Sequence, residues 1–196
     1  MIEQRIFELR GGRVVLRPLQ VSDVEALAGI ALDQSLWMNG PNRIDTAGDV
    51  RSYVNAALDA RVAGTAIPFV TCLVDGTVVG STRFGNIDEM NSRVEIGWTW
   101  ISKAWQRTFV NTEAKYLMLR HAFDVWKCVR VELKTGSQNR PSRTAILRLG
   151  AREEGILRQH TLLPDGSYRD TVYYSILKDE WPDVRTTLEI RLSSAT

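Results

Sequence analysis

Residues 93–126 restrict the possible folds of this chain more than any other stretch. Val94, Ile96, Trp98 and Trp100 alternate with Glu95, Gly97 and Thr99, the period of about two residues that gives a strand one apolar face. From Ala114 to Trp126 the apolar residues fall instead at Ala114, Leu117, Met118, Ala122, Val125 and Trp126, the three-and-four spacing of a buried helix face. Between the two runs Gln106-Arg107-Thr108-Phe109-Val110-Asn111-Thr112. A loop that delivers the chain into a helix points unpaired N–H groups and the positive end of the helix dipole outward, which makes a seat for phosphate. Asn111 is placed to cap that helix, with Glu113 in its first turn.

The remaining elements arrange themselves around this unit. Arg13–Leu19 reads as a first strand ended by Pro18, and Ser22-Asp23-Val24-Glu25 has capping-box spacing for a helix to about Asp33. A second helix covers Ala47–Val62. The connection Gln34–Asp45 carries Trp37 and Met38 where turn chemistry predicts polar residues. Ile67–Val74 and Thr77–Phe84 flank Asp75-Gly76, a strong hairpin signal, and Gly80 marks a bulge. After the central strand and helix come a strand at Val129–Lys134, a helix at Asn139–Leu149 closed by Gly150, and a hairpin of Gly155–Leu162 and Tyr168–Ile176 around Pro164-Asp165-Gly166-Ser167. The tail from Asp179 ends in polar residues expected to fray at Ser193–Thr196. Antiparallel strands followed by this alternation predict an α/β fold, a mixed, mostly antiparallel sheet of about seven strands with helices on both faces.

With 196 residues and no linker, the chain reads as one domain over 1–196, the tail from 179 included. Hydrophobic residues make 44% and charged residues 24%, and a net charge of +2 gives no argument for nucleic acid. Cys72 and Cys128 sit in apolar runs and define neither a disulfide framework nor, with His121 and His160, a metal cluster. No apolar leader or membrane-spanning run is present, so the expectation is a cytoplasmic protein with no membrane partner.

Five markers in order, Glu95-Ile96-Gly97-Trp98, Trp105-Gln106, Asn111-Thr112-Glu113-Ala114, Asn139-Arg140-Pro141-Ser142 and Leu149-Gly150-Ala151-Arg152-Glu153-Glu154-Gly155, resemble the GCN5-related N-acetyltransferases. Within that superfamily they resemble the RimJ/RimL-like branch, over Arg13–Lys178. The resemblance implies acetyl-CoA as co-substrate, direct transfer to a primary amine on a small molecule or a protein N-terminus, no metal, and a branch that often forms homodimers. It further implies that backbone groups near Trp100 and Ile101 pair with the pantetheine arm. Gln106, Arg107, Thr108, Phe109, Val110, Asn111 and Thr112 then carry the pyrophosphate, and Asn139 and Arg143 lie close enough to reach CoA. The chain departs from the family loop at its two small positions, which are Phe109 and Asn111 here. Glycine there admits positive φ and close approach, so Phe109 either turns away from the ligand or blocks it.

An acyl transferase needs a base for the incoming ammonium and an acid for the departing thiolate. Glu95 is the first candidate base, the only acid in an apolar strand, set against a structural pairing with Arg83 or Arg93. His160 is the second, since imidazole titrates near neutrality and a related branch member carries an acid in this hairpin. Ser142 matches the family's proposed thiolate acid, while Asn139 has a plain alternative as a helix N-cap. Trp37, Arg83, Asn86, Trp98 and Tyr173 are candidates for the acceptor site. Trp37 serves equally as a plug at the core edge. The competing classes are a binding module that has lost turnover and a transferase with a different acyl donor. A dinucleotide-binding Gly-x-Gly-x-x-Gly and a Gly-x-Ser-x-Gly nucleophile elbow are both absent from the sequence.

Overall fold

A computed structural model describes residues 6–38 and 40–194. Residues 1–5, Asn39 in the Gln34–Asp45 connection, and Ala195 and Thr196 of the expected frayed end lie outside the described residues. The strands are β1 (Leu9–Arg10), β2 (Val14–Pro18), β3 (Ile67–Leu73), β4 (Val78–Asp88), β5 (Arg93–Ile101), β6 (Arg130–Gly136), β7 (Arg152–Leu162) and β8 (Tyr168–Leu177). They form one eight-stranded sheet in the order β1-β2-β3-β4-β5-β6-β8-β7. The β5–β6 pair is parallel and every other pairing among the described residues is antiparallel.

Five α-helices cover the sheet: α1 (Val24–Ala31), α2 (Ala47–Val62), α3 (Phe109–Arg120), α4 (Arg140–Arg148) and α5 (Trp181–Ser194). One core holds Val94 and Ile96 of β5 with Val110, Ala114, Leu117 and Met118 of α3 and Trp181, Val184 and Leu188 of α5. The other holds Leu27 and Ala31 of α1, Val50 and Val54 of α2, Val70 of β3 and Trp100 of β5. Alternation along the strands divides the apolar residues between the two layers.

Several local expectations shift. A 3-10 turn at Val21–Asp23 precedes α1, and the entry is closed by Asp23 rather than by Ser22 and Glu25: its carboxylate accepts from the Gln20 N–H at 2.8 Å and pairs with Arg17 at 2.6 Å. β6 begins at Arg130 and runs to Gly136, and β4 continues to Asp88. The tail from Asp179 is helical from Trp181 as far as Ser194, including Ser193 and Ser194 of the expected frayed end: α5 seats Trp181 on the core and its Nε1 donates to Asp124 at 2.8 Å. Its polar residues simply face water.

Candidate active site

The site begins with two irregularities between β4 and β5. Ser81 pairs with Trp100 and Arg83 with Gly97, so β5 carries one extra residue there, and Trp98 takes a left-handed φ of 50°. Gly85 pairs with Glu95 and Asp88 with Arg93, so β4 carries an extra residue near Asn86, whose φ is 46°. The first bulge reverses the side-chain phase of β5. Val94 and Ile96 face α3, whereas Trp98 and Trp100 turn to the α2 side, which corrects the single apolar face expected from strict alternation.

β5 and β6 pair only through Arg93, Val94 and Glu95 with Arg130, Val131 and Glu132. Beyond those residues β6 is held by β8 and β5 by β4, so the two parallel strands part toward their C-terminal ends. α3 starts just after β5 and α4 just after β6, so two helix N-termini flank the opening. In open α/β sheets, ligands favour the crevice outside the carboxyl ends of parallel strands.

The loop into α3 differs from expectation in an instructive way. The N-cap is Thr108, whose Oγ1 accepts from the Val110 N–H at 3.3 Å, and Asn111 already lies inside the helix. Neither Phe109 nor Asn111 has positive φ; that conformation falls on exposed Arg107, with φ of 62°. Phe109 packs beside Trp105 at 6.0 Å, with the Arg13 guanidinium over its ring at 4.1 Å. The ring is thereby turned toward the packing of the helix. Gln106 donates to the Ile101 carbonyl at 3.1 Å and ties the loop to the end of β5. Glu113 is buried and accepts from the Arg13 N–H at 2.9 Å; a Cβ on Gly11 would stand 2.2 Å from its Oε1. A side chain at Gly11 would displace the Glu113 carboxylate from this bond.

On the sheet face opposite α3, Glu95 is 3% exposed. Its Oε2 pairs with Lys134 Nζ at 2.8 Å and accepts from Asn86 Nδ2 at 2.6 Å. The expected partners Arg83 and Arg93 are not used; Arg93 pairs with Asp88 and Glu132. Oε1 has no hydrogen bond among the described residues and lies against Gly97, where an added Cβ would meet it at 2.9 Å. Asn86 therefore orients the acid. Lys134 also lies 5.2 Å from the Tyr173 ring, and Tyr173 meets the His160 ring at 5.7 Å. Burial pulls the Lys134 ammonium down, but the Glu95 and Tyr173 contacts outweigh it and its pKa ends raised. Asn86, Asp88, Glu132, Lys134 and Tyr173 line a hollow of about 670 Å³ beside this acid.

On the α3 face of the same bulge stands Lys115, which the sequence reading did not single out. It is buried, and Nζ donates to Thr82 Oγ1 at 3.2 Å and to Thr99 Oγ1. Burial brings its pKa down to about 7, against the opposing pull of Glu95. Thr99 is exposed on the diverging half of β5, so this amine lies one hydroxyl away from the crevice. The signal was present: Lys115 begins the stripe Met118, Leu119, Ala122 at helical spacing.

The other candidates separate. Asn139 caps α4, its Oδ1 accepting from the Ser142 N–H at 3.1 Å, and the half-buried Ser142 hydroxyl has no partner among the described residues. Arg143 donates to Tyr174 Oη at 3.0 Å, to the Ser137 carbonyl at 3.2 Å and to Glu153 at 3.1 Å. His160 is exposed on the edge strand β7 and reaches the acid only through Tyr173 and Lys134. Trp37 is 8% exposed, with Nε1 donating to the Ala31 carbonyl at 2.7 Å, and is a plug in the α1–α2 core.

Two parallel strands part here, a helix N-terminus stands at the mouth, and a buried acid with one oxygen unbonded among the described residues lies on the floor. The sequence matches the family model of the acetyltransferase (GNAT) domain over residues 13–152, and the chain belongs to this family. By class it is an N-acetyltransferase. YdaF of Bacillus subtilis (strain 168), provisionally named a ribosomal N-acetyltransferase, is 30% identical over 181 residues, 86% of this chain and 93% of its own. A GCN5-related N-acetyltransferase from Brucella melitensis superposes with a TM-score of 0.90 at 26% identity, covering 99% of this chain and 88% of that one. Mycobacterium smegmatis RimJ, solved in complex with CoA-disulfide, gives a TM-score of 0.80 at 26% identity, with 95% and 93% covered. These relatives support the RimJ/RimL-like branch.

Proposed function

We propose that this protein transfers acetyl from acetyl-CoA directly to a primary amine, on a small molecule or a protein N-terminus, with Glu95 as the general base. The observation that carries this reading is the free Oε1 of a buried carboxylate at the parting of β5 and β6. Backbone groups of Trp100 and Ile101 face the pantetheine arm, and the segment from Gln106 to Thr112 receives the pyrophosphate. The ammonium gives one proton to Glu95, which passes it to water. The amine then attacks the acetyl carbon, the carbon–sulfur bond breaks, and a second proton ends on the departing sulfur. Ser142, with its unpartnered hydroxyl, donates a hydrogen bond to that sulfur.

A cytoplasmic location fits a chain in which no helix among the described residues is long and apolar enough to cross a membrane, and it fits the ribosomal name of YdaF. A homodimer through β7 fits an edge strand exposed along nearly its whole length, with Ile156, Leu157 and Leu162 on it. Calorimetric titration with acetyl-CoA, CoA and ATP, followed by thiol release across an amine panel, tests the proposal. Acetyl-CoA binding with turnover on an amine is the expected result. Binding without turnover on any amine would reassign the chain as a binding module.

A further inference from the structure

Arg83 is a buried charge without a polar partner among the described residues. It lies on β4 and is 6% exposed, yet its guanidinium makes no hydrogen bond or ion pair among the described residues, and Nε is fully enclosed without a partner. What surrounds it is aromatic: Cζ stands 5.1 Å from the Tyr53 ring and 5.2 Å from the Trp98 ring. Two rings hold the guanidinium plane in place and attract its charge, but they do not satisfy its donors. A buried cation with unused donors is costly unless an anion completes it. The arrangement is deliberate in its details. Tyr53 Oη donates to the Trp98 carbonyl at 3.3 Å and accepts from Trp100 Nε1 at 3.2 Å, which fixes one wall. The Trp98 ring occupies the space above Gly85, where a Cβ would stand 2.3 Å from it, and the bulge with its left-handed φ puts the ring there.

The position of this cation relative to the acid gives it meaning. Arg83 is the register partner of Gly97, and Glu95 lies two residues along β5 on the same face. Diagonal neighbours of this kind are about 7–8 Å apart. Glu95 Oε1 lies over Gly97, the register partner of Arg83, while Oε2 is taken by Lys134 and Asn86. Beside the Glu95–Lys134 pair, the charged atoms on this floor left without a partner among the described residues are therefore one carboxylate oxygen and one guanidinium, related through Gly97.

We infer that Arg83, walled by Tyr53 and Trp98, is a carboxylate-binding subsite, and that the acceptor is a free amino acid whose ammonium meets Glu95 while its carboxylate meets Arg83. This rests on the N-acetyltransferase reading and narrows its acceptor. A guanidinium fork binds a planar carboxylate through two parallel hydrogen bonds, and the rings exclude the water that would compete. A protein N-terminus has an amide in place of that carboxylate and would leave the fork empty.

The test is thiol release from saturating acetyl-CoA with the full chain, using each of the common amino acids beside its carboxamide and its decarboxylated amine. At least one free amino acid is expected to be acetylated, with the KM of its amide higher by about tenfold or more. Arg83→Gln is expected to raise the KM of the acid by about tenfold or more with kcat within about threefold, leave the amide unchanged, and erase the preference. Arg83→Lys, which keeps the charge and loses the fork, retains part of the preference and serves if the glutamine variant does not fold. Equal turnover of acid and amide, or a preference that survives both substitutions, overturns the subsite and leaves the transferase reading standing. Where nothing in the panel is acetylated, tryptophan fluorescence titrated with the same compounds decides. Saturable, Arg83-dependent binding of acids alone upholds the subsite while the transferase reading falls; no such binding overturns the subsite.

Discussion

Replacing Lys115 with Met should make the protein more stable at neutral pH, and the size of the gain should depend on pH. The ordinary lysine value is 10.5, and burial brings Lys115 down to about 7. Between those values the unfolded chain binds the proton more fully than the folded chain, so stability rises with pH across the window and is flat below it. Integration gives a deficit of about 4 kcal/mol at pH 7 and about 2 kcal/mol at pH 9, hence a rise of about 2 kcal/mol between them. Met keeps nearly the same volume, and Thr82 and Thr99 retain their mutual hydroxyl contact at 2.8 Å. Urea unfolding of both proteins at pH 7, 8 and 9 isolates the effect as a difference of slopes. His121, lowered to about 4 by burial, and Cys72 and Cys128, both raised by burial, contribute alike to the two proteins and cancel in that difference. The wild type should gain about 2 kcal/mol relative to the variant between pH 7 and 9. Parallel curves would refute the placement of an amine in that dry site. Acetyl transfer should meanwhile fall in the variant, since Lys115 Nζ is bonded to Thr99, which is exposed on the parted half of β5.

Glu95→Gln should lower kcat by about 10²-fold or more and change acetyl-CoA affinity little; unchanged kinetics would remove Glu95 from proton transfer. Phe109→Ala should cost about 2 kcal/mol in urea unfolding, because Trp105 and Arg13 lose a half-buried ring, while calorimetry with acetyl-CoA changes less than about threefold. A large loss of donor affinity would mean that the ring itself holds the ligand. Arg143→Met should reduce the melting temperature by breaking contacts to Tyr174, Ser137 and Glu153, with CoA binding intact, which separates a structural arginine from a phosphate ligand.

Periodicity located the strand and helix of residues 93–126 because both bury one face, and burial is what periodicity records. It failed at Trp98 because a bulge is an insertion in register. Its cause is the fit of Trp98 over Gly85 on the neighbouring strand, and no local pattern carries that pairing. The loop was misread for a related reason: Thr108 and Asn111 are both competent caps, and only the position of Trp105, whose carbonyl accepts from Thr108 Oγ1 at 2.8 Å, selects the first. α5 was hidden because three buried residues in fourteen, Trp181, Val184 and Leu188, make a weak stripe until α3 supplies its partner surface. Glu95 was legible as an acid in an apolar strand, but its partner was not, since Lys134 comes from a strand 39 positions away.

The two sides of β5 impose different demands, and the bulge reconciles them. Facing α3, the strand must be dry enough to pack Val94 and Ile96, and the same dryness keeps the Lys115 amine close to neutral. Facing α2, it must present charge, because Glu95, Lys134 and Arg83 all project there. Strict alternation would give Trp98 to the α3 core and Thr99 to the charged floor. The extra residue exchanges them: Thr99 reaches Lys115, and Trp98 becomes a wall of the Arg83 box. Removing the bulge by deleting one residue from Trp98–Thr99 would disturb this exchange, so an effect on both faces at once is the expected mark of a device that sets register for chemistry. A deletion that changed only core stability would instead make it a packing defect.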